Sequence, residues 1–96
     1  MTKVLFRKWP ASEGGDVIAL FPELAGDYNP GTCSSYQRVG QHGAADLLGL
    51  THKLRKATAK EYRPLATELQ RLGYRLKVIS RVQSGMLAMR KAQLEN

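Results

Sequence analysis

Thr58-Ala59-Lys60-Glu61-Tyr62-Arg63-Pro64-Leu65-Ala66-Thr67-Glu68-Leu69-Gln70-Arg71-Leu72-Gly73-Tyr74 contains the start, period and stop signals of one amphipathic helix. Thr58 followed three residues later by Glu61 is a capping box, in which two backbone donors without helical partners are satisfied reciprocally. Tyr62, Leu65, Ala66, Leu69 and Leu72 fall on one stripe, with Lys60, Arg63, Thr67 and Arg71 outside it. Gly73 supplies a left-handed C-cap, and Tyr74 can fold back on the apolar stripe. Pro64 cannot donate to Lys60, so a bend or an irregular first turn is expected. Directly after the helix, Arg75-Leu76-Lys77-Val78-Ile79-Ser80-Arg81-Val82 reads as a strand. Its alternation sets Leu76, Val78, Ser80 and Val82 on one side and Arg75, Lys77, Ile79 and Arg81 on the other.

Upstream the chain reads mostly as sheet for that helix to pack on. Residues 3–9 are rich in β-branched and aromatic types, and Pro10 ends that strand. Residues 16–21 carry an unbroken apolar run between Gly-Gly and Pro22, which fits a central strand buried on both faces. Gly14 and Gly15 at a polar tip join these two strands as a hairpin. Residues 22–31 are expected as loop, with Pro30-Gly31 at the centre of a turn. A third strand is expected over residues 35–40. Asp46 can cap a short helix over Leu47, Leu48, Leu50 and Leu54, although Gly49 weakens it. The expected fold is α+β: an antiparallel four-stranded sheet in the order β-β-β-α-β, one main helix on one face, and a short C-terminal helix. Residues 1–83 form a single domain and residues 84–96 a helical tail.

The 96 residues suffice for one domain with a thin core. There is no apolar run long enough for a transmembrane helix, and Arg7-Lys8 interrupts the apolar stretch a signal peptide needs. The single cysteine, Cys33, fits a reducing compartment, so a cytoplasmic protein without disulfides is expected. The net charge of +7 is lopsided: residues 1–50 hold four basic and five acidic side chains, residues 51–96 eleven and three. Such asymmetry points to an anionic partner.

Three segments carry a resemblance: Val4-Leu5-Phe6-Arg7-Lys8-Trp9, then Gly15-Asp16-Val17-Ile18-Ala19-Leu20-Phe21-Pro22-Glu23, then Cys33-Ser34-Ser35-Tyr36-Gln37-Arg38-Val39-Gly40-Gln41-His42-Gly43-Ala44-Ala45-Asp46. With the Glu61-Tyr62 helix and its Leu-Gly-Tyr ending, they resemble a set of small uncharacterised proteins of bacteria, phages and mobile elements. The resemblance spans residues 3–79 and brings no catalytic residues with it. It implies a small binding protein acting in a host cytoplasm, with an anti-defence inhibitor such as an anti-CRISPR protein as its sharpest form.

No motif for catalysis, cofactor or metal stands out. Cys33 and His42 invite a nucleophile and base pairing. Their odd separation puts them on opposite faces of a regular strand and about 30 Å apart along it. Gly40-Gln41-His42-Gly43 lacks the length and ending of a phosphate loop and reads as a tight loop exit. The basic set is the stronger candidate. Arg75, Lys77 and Arg81 line one strand face, and Lys3 and Arg7 join them if the first and last strands are neighbours. Trp9 and Tyr36 can interleave as stacking groups for single-stranded nucleic acid, and Lys53, Arg55 and Lys56 can add phosphate contacts. The expected function is a non-enzymatic basic binding protein docking on nucleic acid or a host nucleoprotein complex. The alternatives are a protein-interaction module, including a homodimer through residues 86–94, and a Cys33-dependent enzyme.

Overall fold

The computed structural model describes residues 1–38 and 41–95. Strand β1 (Thr2–Lys8) lies next to β2 (Val17–Ala25), then β3 (Thr32–Tyr36) and β4 (His42–Asp46), each pair antiparallel. The other edge of β1 is shared. Two-residue β5 (Arg55–Lys56) pairs antiparallel with Arg7 and Lys8, and β6 (Leu76–Val78) pairs parallel with residues Thr2, Lys3 and Val4. The sheet is therefore mixed and six-stranded, where an antiparallel sheet of four was expected. Short β5 carries no propensity signal of its own; it exists because β1 has a free edge there. The expected third strand over 35–40 is displaced: β3 ends at Tyr36, and Val39 and Gly40 lie outside the described residues.

Three helices cover this sheet. Helix α1 (Leu47–Lys53) starts where expected, with the Asp46 carboxylate accepting from Gly49 N at 3.2 Å. Helix α2 (Ala59–Arg71) has the full capping box and continues through Pro64, which does not end it. Lys60, whose carbonyl Pro64 cannot reach, is exposed to water. Its C-terminus is a Schellman motif: Tyr74 N donates to Leu69 O and Gly73 N to Gln70 O, with Gly73 at φ 105°. Helix α3 (Met86–Leu94) lies against β2.

Both sheet faces are covered. On one, Val4, Phe6, Ala19, Phe21 and Tyr36 meet Leu65 and Leu69 of α2, with Tyr62, Ala66 and Tyr74 packed around them. Phe6 stacks on Tyr62 (4.4 Å between centroids) and Phe21 on Tyr74 (5.0 Å). Leu72, assigned to the same stripe from its spacing, is instead half exposed, because the chain turns at the C-cap before it can reach the sheet. On the other face, Leu5, Ile18, Leu20 and Cys33 meet Leu47 and Leu54, with Ile79 and Val82 alongside. Arg75, Lys77 and Arg81 are exposed, while each face of the sheet carries a core cluster. The alternation along residues 75–82 also breaks: β6 ends at Val78, and both Ile79 and Val82 turn into the Leu5 cluster.

Pro22 does not end β2. Phe21 pairs with Ser34 and Ala25 with Cys33, so residues 22–24 bulge out of the ladder. A bulge tolerates proline because its missing N–H has no partner to lose there. Gly26 follows, and a Cβ on it would come within 2.5 Å of the Cys33 carbonyl oxygen, so only glycine lets the strands close again.

Candidate anion-binding edge

The ten residues picked out as a contact surface have four different fates. Arg7 and Tyr36 are buried, at 4% and 1% exposure. Tyr36 belongs to the α2-side core, so it offers no stacking face. Lys3, Lys53 and Arg55 are exposed enough to act but each has an acidic partner. Lys3 Nζ lies 3.3 Å from Glu23, Lys53 Nζ 3.1 Å from Glu13, and Arg55 makes a two-pronged pair with Glu61 at 2.9 and 2.7 Å. The Arg55 guanidinium, helped by the Thr58 backbone N–H, pulls the Glu61 carboxyl down to about 2. Trp9 is half-buried, and Lys53 Nζ sits 5.2 Å from its ring centroid. The aromatic interleaving expected for single-stranded nucleic acid is thus not presented.

Lys56, Arg75, Lys77 and Arg81 remain. All four are exposed, and none has a carboxylate within salt-bridge distance among the described residues. They share one sheet edge. Arg75 and Lys77 flank Leu76 in β6, Lys56 is in β5, and Arg81 follows β6 by three residues. That edge has an unusual shape. β6 runs along β1 from Thr2 toward Val4, while β5 runs the opposite way from Lys8 toward Arg7. The two meet head-on and both turn away. Ala57 N donates to Phe6 O as the chain leaves for α2, and Ile79 N donates to Val4 O as it leaves for the opposite face.

The notch between them is floored by Arg7. Its Nη2 donates to Ser80 O at 2.9 Å and its Nη1 to Phe6 O at 3.2 Å, while the buried Nε has no hydrogen-bond partner among the described residues. Burial lowers the Arg7 pKa from its ordinary value. Two hollows open off this floor and share Arg7, Lys56 and Ser80. One, of about 400 Å³, has Phe6, Tyr62 and Val78 in its walls. The other, of about 690 Å³, adds His52 and Arg81. Among the described residues, neither is lined by a carboxylate. Sequence reading missed Ser80 and His52. The signal that places them is the shared β1 edge, which depends on a two-residue strand that no periodicity reveals.

Cys33 and His42 lie on opposite faces. In the β3–β4 hairpin Cys33 pairs with Ala45 and His42 with Tyr36, so the thiol is in the Leu5 cluster and the imidazole stands against the Tyr36 ring. His42 Nε2 is instead 3.2 Å from Tyr74 Oη. Burial pushes the Cys33 thiol up to about 11. A thiol so buried should react with iodoacetamide at pH 8 at least about a hundredfold more slowly than in the urea-unfolded chain. The same shift sets a sign for stability. The unfolded thiol ionises near its ordinary value while the folded one stays protonated, so this contribution is intact below about pH 8.5 and is lost as pH climbs toward 11. Cys33→Ala should flatten that alkaline decline in urea titrations; an unchanged slope would refute the assignment.

Among the described residues no three His, Cys, Asp or Glu side chains gather as metal ligands do, and no helix is long and apolar enough to cross a membrane. No family model matches the chain, and no curated protein or solved structure is significantly similar to it.

Proposed function

We propose that the protein is a non-enzymatic binding module that docks the β5–β6 edge on the phosphate backbone of nucleic acid. One observation carries this reading: Lys56, Arg75, Lys77 and Arg81 stand exposed on a single edge with no carboxylate among the described residues to neutralise them. Unpaired cations along a polyanion release its condensed counterions, which supplies affinity without base readout. With Tyr36 buried and Trp9 under Lys53, stacking adds little, so binding is expected to be indifferent to sequence. The narrower role that the resemblance implies, inhibition of a host nucleoprotein complex in the manner of an anti-CRISPR protein, uses the same edge against nucleic acid already held by protein.

Fluorescence anisotropy with a labelled single-stranded oligonucleotide across a sodium chloride series tests this. Four phosphate contacts predict a slope of log K against log salt of about −3. Reversing all four cations to Glu should abolish binding. Reversing Arg63 and Arg71, on α2 away from the edge, should leave most of it. Full affinity in the fourfold variant would sink the proposal. Recovery of partner protein from a lysate that survives nuclease would assign the edge to an acidic protein instead.

A further inference from the structure

We infer that the notch between β5 and β6 is a discrete phosphate site, with the Arg7 guanidinium at its floor and Lys56, Ser80 and Arg81 around it. This deepens the nucleic-acid reading and rests on it only for the source of the phosphate. Three strands of observation meet here. Arg7 is more than nine-tenths buried, yet among the described residues it has backbone carbonyls and no acid as partners, and its Nε–H is unpartnered. A guanidinium so enclosed keeps its charge in a low-dielectric setting, where attraction to an anion is much stronger than in water. Second, Lys56 and Arg81 converge on the same hollow from β5 and from the segment after β6, with Ser80 and His52 as further polar groups. Third, the two hollows that share Arg7, Lys56 and Ser80 differ in character. One adds the Phe6 and Tyr62 rings and Val78 to these shared groups, and the other adds Arg81 and His52.

That pairing selects the ligand class. A carboxylate offers one charge and two oxygens in a plane. A phosphate offers oxygens in several directions, which suits three cations arriving from separate elements. The hollow walled by Phe6, Tyr62 and Val78 can take the organic part of a phosphate ester, as the sugar of a nucleotide, while the phosphate sits at the shared wall.

The test titrates ¹⁵N-labelled protein with inorganic phosphate, against sodium chloride at matched ionic strength, and then with the oligonucleotide. Saturable movement of the Arg7 Nε–Hε resonance and of the Ala57 and Ser80 amides with phosphate and not with chloride is the expected result. Lys56→Gln and Arg81→Gln should each weaken phosphate about tenfold, the scale of one charge-assisted hydrogen bond. Arg75→Gln, remote from the notch, should weaken only the oligonucleotide. Chloride shifts equal to those with phosphate, or phosphate affinity unchanged in both notch variants, would overturn the site. Oligonucleotide binding that leaves Arg7 Nε unmoved overturns the site while the edge reading stands. Phosphate binding without oligonucleotide binding supports the site and assigns it to a free phosphate compound.

Discussion

Phe21→Ala is expected to destabilise the domain by about 4 kcal/mol, the upper range for emptying an aromatic position in a packed core. Phe21 is fully buried and stacks on Tyr74 with the rings almost parallel. Tyr74 is also the residue that closes the α2 C-cap, through its N–H to Leu69 O. Removing the phenyl ring thus loosens two things at once: the sheet side of the core and the contact that stops α2. A domain of this size has a total stability of about 5–15 kcal/mol, so such a loss is a large share of the whole. At about 4–8 °C per kcal/mol, the melting temperature should fall by some 15–30 °C. Urea titration and thermal circular dichroism measure both. Leu72→Ala makes the comparison, since Leu72 is half exposed and its loss should cost under about 0.5 kcal/mol. A Phe21→Ala variant within 1 kcal/mol of the parent would mean that the α2-side cluster is not one packed unit.

The parts of the fold that rest on local signals were legible. Thr58 with Glu61, Gly73 with Tyr74, Asp46 before a leucine pattern, and the apolar run of β2 each name their structure within a few residues. What the chain hides is non-local. Pro22 reads as a strand end because a regular ladder has no place for it, and only the pairing with β3 shows the bulge that accommodates it. β5 has two residues and no period to detect. The parallel pairing of β6 depends on α2 carrying the chain back to the start of β1, where Thr2 pairs with Leu76 and Thr2 N donates to Arg75 O at 2.6 Å.

The charged residues show the same division. The sequence marks the second half as strongly basic, and four of its cations do line one edge. It does not show which are spoken for. Glu13, Glu23 and Glu61 reach their partners Lys53, Lys3 and Arg55, and two of these three pairs join residues twenty or forty positions apart. Arg7 reads like any strand-edge cation. Its burial follows from residues 79–82 folding over its face of the sheet, a turn that the strand-like pattern Lys77-Val78-Ile79-Ser80 conceals.

Arg90→Ala is expected to cost about 3 kcal/mol and to release α3 from the sheet. The nine-residue helix has no side-chain N-cap, begins after Gly85 at φ 89°, and is too short to persist alone in water. What holds it is the β2 bulge. Bulging takes residues 22–24 out of the β3 ladder and leaves backbone groups to be satisfied. Arg90, 3% exposed, donates from Nη1 to Pro22 O at 2.6 Å and from Nε to Pro30 O at 2.9 Å. Gln93 completes the set: Ala25 N donates to its Oε1 at 2.7 Å, and its Nε2 donates to Glu23 O at 2.6 Å. Alanine at 90 leaves two carbonyls without these donors, and the loss of charge-assisted bonds outweighs the relief of unburying a guanidinium. Gln93→Ala, at a more exposed position, should cost about 1 kcal/mol. The double variant should cost less than the two added together, because once α3 has let go there is nothing left for the second change to remove. Arg90→Met, which keeps much of the apolar stem, separates packing from hydrogen bonding: it should recover less than half of the loss if the bonds dominate. Hydrogen exchange reads the mechanism directly. Protection of the α3 amides should collapse in Arg90→Ala while the β1 and β2 amides stay protected, and α3 protection equal to that of the parent chain would show that the bulge does not hold the helix.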